Sequence, residues 1–242
     1  MALCVSLAPF IRALLAASLT PPHTSVIDIP VCRLANKAAC TPPPADDNAV
    51  WAIEQSEDTL LNTSSSLDKE RMIRFLIHIV GDVHQPLHAA NYFSSAFPTG
   101  DRGGNSWRIS GVPYATELHA MWDEGLGLWT QQMRRPLNAT GRQWVSALAA
   151  KVMGLHPVSS LGPQIADKNV TNWAVESHAI AETFVYTAPQ SPAKVPQAYT
   201  TQGQDLALKQ LAIAGYRLAD ALQFVLTTPR DAVYTRVRAP RS

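Results

Sequence analysis

The chain has 242 residues, 46% of them hydrophobic, and a formal net charge of +1. That is enough apolar material for one large core in one domain. The near-neutral balance excludes a basic surface that binds nucleic acid through phosphate neutralisation alone, so a nucleic-acid ligand would have to be held by a specific site.

Residues 1–22 are apolar and rich in small side chains, but they lack a basic start and are interrupted by Pro9 and Arg12. They read as a degenerate signal-like or truncated N-terminal segment. The next unit, 23–228, reads as one helical domain, and 229–242 as a basic tail. No apolar run is long enough to span a membrane. Residues 21–46 form an irregular, proline-marked loop. Asp47 or Asn48 then caps a helix over 49–62 that buries Val50, Ile53, Leu60 and Leu61. Ser66 caps the next helix, which starts at Leu67 and runs into the stretch from Phe75 to His88.

In that stretch His78 and Asp82 are four residues apart and share one helix face. Pro86 has no amide proton and disfavours helix before it, so the chain breaks near Gln85 and His88 swings back toward the same face. His84 points away from it and reads as structural. Residues 89–115 lose the helical period; the turn chemistry from Pro98 to Asn105 predicts a small hairpin or loop arm. The period returns over 116–130, where His119 and Asp123 repeat the spacing, and again over 140–155 around Trp144, Leu148 and Val152. Thr171 or Asn172 opens a helix through Trp173, Ile180 and Val185, and a last helix covers 203–227. His156 and His178 read as ordinary structural residues. The bulk is all-α.

Imidazole nitrogen with carboxylate oxygen is a donor set that suits zinc. Burying His78, Asp82, His88, His119 and Asp123 without a partner would cost several kcal/mol. Clustered His and Asp with no nucleophilic Ser or Cys nearby points to metal-activated water. Asn62, Asn138 and Asn169 each open a glycosylation acceptor, which leans toward a secretory route. Cys32 and Cys40 are close enough in sequence to staple a loop; a pairing of either with Cys4 stays open.

The run from Phe75 to His88, the turn from Asp101 to Asn105, the segment from Leu118 to Asp123, and Trp173 to Ser177 occur in the order and spacing of the single-strand-specific zinc nucleases. That family includes fungal and plant bifunctional nucleases and the trypanosomatid 3′-nucleotidase/nucleases, with zinc phospholipase C more distant. The resemblance covers roughly residues 23–228. It implies an all-α domain with three zinc ions. By position, His88, His119 and Asp123 would bind one zinc, while Asp82 would bridge the other two, with His78 on one of them. That would put Asp82 and His78 at the catalytic metals. Asn105 would contact substrate phosphate. The implied activity is hydrolysis of phosphodiester and 3′-phosphomonoester bonds in RNA, single-stranded DNA and 3′-nucleotides, by a secreted or cell-surface monomer.

The chain also departs from the resemblance. Family members begin with a Trp whose amine and carbonyl bind zinc, followed closely by a His; this sequence starts Met1, Ala2, Leu3, and its first histidine is His23. An Asp ligand and a catalytic Arg expected upstream of residue 23 have no counterpart. With a two-residue insertion, His23 falls at a ligand position and Asp28 at the base-reading position; an ungapped match puts Ser25 at the ligand position instead. The enzyme reading therefore stands beside a catalytically inactive, zinc-stabilised relative, with a phospholipase C acting on lipid headgroups less favoured.

Overall fold

The computed structural model describes residues 26–42, 47–131, 133 and 136–228. His23, Cys4, the 1–22 segment and the basic tail lie outside them. Among the described residues there are seven α-helices, packed mainly on one another, and two three-residue strands.

Helix α1 (Ala49–Asn62) starts where Asn48 accepts the amides of Val50 and Trp51, as its capping chemistry predicts. It buries Ala49, Ala52, Ile53, Ser56 and Leu60, a single stripe at helical spacing. Helix α2 (Ser66–Val83) is capped by Ser65, one residue before the expected position, through the Asp68 amide. Its first half is largely open to solvent. Its last turns are enclosed, with Leu76, Ile77, His78, Ile79, Val80, Asp82 and Val83 all buried. The helix ends as expected: Gln85 is extended (φ −83°, ψ 119°), and Pro86–Ala89 form a separate 3-10 turn.

The arm differs from a hairpin. Strand β2 (Asn91–Phe93) lies parallel to β1 (Pro30–Cys32), with Val31 opposite Tyr92. The two strands are joined through α1 and α2, and such a crossover returns the chain in the same direction rather than the opposite one. The rest of the arm is loop, with one antiparallel bridge between Arg108 and Glu117. The strand pair leads directly into the histidine region, because the Ile27 amide donates to the His88 carbonyl at 2.7 Å. A Cys32–Cys40 disulfide closes the loop after β1.

Helix α3 (Leu118–Asp123) is shorter than its apolar period predicts. Gly125, Leu126 and Gly127 all take positive φ and end it. Asn138 caps α4 (Ala139–Leu155), and Asn169, not Thr171 or Asn172, caps α6 (Val170–Thr183). Between them lies α5 (Val158–Ala166), a helix the sequence does not announce because it holds Pro163 and two serines. Helix α7 (Gln197–Thr227) begins directly after Pro196 rather than at 203. None of the described helices is long and apolar enough to cross a membrane.

One core cluster joins α1, α2, α6 and α7 through Ile53, Leu76, Val80, Trp173 and Leu218. A second joins β1, the arm, α3 and the start of α7 through Val31, Trp107, Met121, Trp122 and Tyr199. The end of α2 and the turn after it lie between the two. Ser65→Ala removes the cap of the histidine-bearing helix and should lower unfolding free energy by about 1 kcal/mol in urea titration.

Candidate metal centre

Three elements meet at this junction. His78 and Asp82 come from the last turns of α2, His88 from the 3-10 turn, and His119 and Asp123 from α3. His78 Nε2 is 3.2 Å from Asp82 Oδ2, and His88 Nδ1 is 3.7 Å from the same oxygen. On its other side, His88 Nε2 is 3.5 Å from Asp123 Oδ1, and His119 Nε2 is 3.5 Å from Asp123 Oδ2. The ligand atoms of His88, His119 and Asp123 all lie within 4.8 Å of one another, close enough to hold one metal ion. His88 is thus the hinge between the two halves.

Two observations test whether these residues fit a cation. Asp82 Oδ2 and His78 Nδ1 are buried with no hydrogen-bond partner. Burial drives the Asp82 carboxyl above its ordinary range, with the His88 and His78 charges pulling it back; a cation beside it would relieve that cost. His119 Nδ1 contacts the Gly103 carbonyl at 2.6 Å, so it carries the proton and Nε2 faces Asp123 as an acceptor. Holding the far nitrogen on a backbone carbonyl is how metal-binding imidazoles are oriented. The donor set therefore fits zinc.

Asp123 has a lower value, about 2. Burial pushes it up, but the hydrogen bond from His88, the charges of His119 and His88, and the hydrogen bond from Gln85 outweigh that. Its side chain is 40% exposed against 6% for Asp82, so the cluster opens on the Asp123 side and closes on the α2 side. A cavity of about 70 Å³ lined by Asp82, Gln85, His88, Trp122, Asp123 and Trp129 adjoins it, with room for water.

Gln85 is a contributor that the sequence reading missed. Its Oε1 accepts the Leu87 amide, capping the turn that carries His88, and its Nε2 donates to Asp123 at 2.9 Å. The available signal was a polar side chain immediately before the helix-breaking Pro86. Asn105 is half-buried in the arm, and its amide nitrogen donates to the Arg102 carbonyl at 2.8 Å. Asp28 sits one residue past the Ile27 amide that binds the His88 carbonyl, and its charge reaches Tyr186. Asn62, Asn138 and Asn169 are exposed at helix ends.

His84 takes no part in the cluster and is locked behind it. Its Nδ1 donates to the Val80 carbonyl (2.7 Å), and its Nε2 accepts from Arg217 Nη1 (2.9 Å). Arg217, 1% exposed, also pairs with Glu176 (Nη1–Oε2 2.9 Å), donates to the Gln164 carbonyl and stacks over Trp173. This braces the corner between Asp82 and His88 against α5, α6 and α7. His178 is half-buried on α6 and His156 ends α4; neither joins the cluster.

The class these features define is an all-α protein whose helix ends gather imidazoles and carboxylates into one metal-fitting cluster. Comparison with known proteins supplies the family. The sequence profile of S1/P1 Nuclease matches residues 26–227. The chain is 23% identical to Nuclease S1 of Aspergillus oryzae, over 86% of this chain and 69% of that one. It is 26% identical to Nuclease P1 of Penicillium citrinum, over 65% and 60%, and 24% identical to Endonuclease 3 of Arabidopsis thaliana, over 77% and 64%. The chain belongs to the S1/P1 nuclease family. It spans roughly two thirds of the length of these relatives.

Burial lowers the His84 imidazole to about 3, with Arg217 adding to the effect and the Val80 hydrogen bond opposing it. Its neutral form therefore contributes stability that is complete above the unfolded value of about 6.5 and is lost as pH falls toward 3. Urea unfolding from pH 7 to 4 should show stability falling with pH, and less steeply in His84→Gln. Arg217→Met, which leaves Glu176 without its cation, should cost about 3 kcal/mol in the same measurement.

Proposed function

We propose that this chain is a zinc-dependent hydrolase of phosphodiester and 3′-phosphomonoester bonds, acting on RNA, single-stranded DNA and 3′-nucleotides with metal-activated water. The observation that carries this reading is the convergence of His88, His119 and Asp123 beside the buried, unsatisfied Asp82–His78 pair. Zinc, when bound, supplies the Lewis acid that polarises a phosphoryl oxygen and makes water nucleophilic near neutral pH. His88, His119 and Asp123 hold one ion. Asp82 and His78 would serve the further ions of such a centre, with His23 as an additional ligand.

Asn105 orients the phosphate. One of its amide hydrogens is held by the Arg102 carbonyl, so the side chain is fixed before substrate arrives. Asp28 reads the base from the start of the strand pair. The opening on the Asp123 side admits substrate and water. The three exposed acceptor asparagines and the Cys32–Cys40 disulfide support a glycoprotein of the secretory route, secreted or at the cell surface, which we take to act as a monomer.

One observation favours a second reading. Among the described residues, only one group of three has ligand atoms close enough together to hold an ion. If the rest of the ligand set is not supplied, the chain is a zinc-stabilised relative without turnover.

Release of phosphate from 3′-AMP and cleavage of RNA, both abolished by a chelator and restored by zinc, are the expected outcomes. Zinc binding without either activity selects the inactive reading, and release of phosphocholine from a lipid substrate would select the phospholipase one. Metal binding is linked to folding. Stripping zinc should therefore lower the melting temperature of the wild type, by the equivalent of about 2.7 kcal/mol at a hundredfold excess over the dissociation constant. His119→Ala should start lower and respond little to the chelator. An unchanged melting temperature in that variant would count against its role.

A further inference from the structure

Asp101 is a fully buried carboxylate that lies outside the His/Asp cluster. Its Oδ1 accepts the Tyr92 amide (2.9 Å) and the Tyr186 hydroxyl (3.1 Å), and its Oδ2 accepts the Gly104 amide (2.9 Å). Burial raises its pKa, while these donors, together with the Gly103 amide, favour the charged form. Tyr92 lies in β2 and Tyr186 in the 3-10 turn after α6, so the carboxylate ties its turn to the strand within the arm and to an element outside it.

What it holds is a turn that would not keep its shape alone. Gly100, Arg102, Gly103 and Gly104 all have positive φ, and Arg102 is not a glycine. Gly103 has no substitute, because a Cβ there would lie 2.5 Å from the Leu87 carbonyl oxygen, beside His88. The turn in turn holds the cluster. The Gly103 carbonyl accepts the His119 Nδ1 proton, the Gly104 carbonyl accepts the His119 amide, and the Arg102 carbonyl fixes Asn105.

We propose that Asp101, assisted by Tyr186, is a positioning residue: it fixes the turn so that His119 carries its proton on Nδ1 and presents Nε2, while Asn105 is set in the same act. The proposal deepens the metal-hydrolase reading and rests on it for its functional consequence. The tautomer itself does not need metal. Asp101→Asn keeps the size but places an amide donor against the Gly104 amide or the Tyr92–Tyr186 pair.

The test measures His119 tautomer in the full chain by long-range proton–nitrogen NMR, before and after zinc. Zinc affinity is measured by chelator competition in parallel. In the wild type His119 should be the Nδ1–H form. In Asp101→Asn that form should lose its dominance and zinc affinity should fall about 10-fold or more; Tyr186→Phe, which removes one donor, should shift both in the same direction by less. A folded Asp101→Asn with unchanged tautomer and unchanged zinc affinity overturns the proposal. If Asp101→Asn does not fold, Tyr186→Phe decides: no change in either readout overturns it. A wild type that takes up no zinc, with a tautomer that still shifts in the variants, upholds the positioning role and refutes the hydrolase reading instead.

Discussion

The structure depends on one break in one helix. Had α2 continued past Val83, His88 would project from a different face and nearly three turns of helix away from His78. Pro86 removes an amide donor and forces Gln85 into an extended conformation, and the short 3-10 turn that follows brings His88 between Asp82 and Asp123. The break exposes backbone groups that need partners, and each partner is itself part of the site's support. Gln85 caps the new turn and holds Asp123, Ile27 binds the His88 carbonyl, and Gln210 binds the His84 carbonyl.

Around that break the polar groups are arranged in two layers. The inner one, His78, Asp82, His88, His119 and Asp123, has unsatisfied atoms and closely spaced ligands. The outer one is largely paired within the protein, with Glu176 Oε2 the exception: it lies 2.9 Å from Arg217 Nη1 but makes no hydrogen bond. Arg217 spends its guanidinium on His84, Glu176 and a backbone carbonyl, and Asp101 spends both oxygens on amides and a phenol. Well-paired buried networks rigidify; the close spacing of the ligand atoms of His88, His119 and Asp123 is what fits the inner layer to a cation. The contrast between layers is the physical content of the site.

Much of this was legible in the sequence because it is local. The i, i+4 pairs, the proline break and the Asn48 cap each depend on residues within one or two turns. The fold class follows from the same periodicity, and the family match agrees with it. What was not legible is what depends on distant partners. Nothing near His84 announces Arg217, and nothing near Asp101 announces Tyr186. Three-residue strands carry too little alternation to reveal a parallel pair, and α5 is masked by Pro163. The length of α3 was overestimated because its apolar pattern continues through glycines whose backbone cannot continue the helix.

The central claim, that the inner layer is a metal centre rather than a buried hydrogen-bond cluster, is tested most directly by anomalous diffraction at the zinc edge from crystals grown with zinc. The account predicts a peak bonded to His88, His119 and a carboxylate oxygen of Asp123, at about 2.0–2.2 Å. Crystals grown in that zinc that show no peak there, with the two imidazoles bonded directly to Asp123, would contradict it.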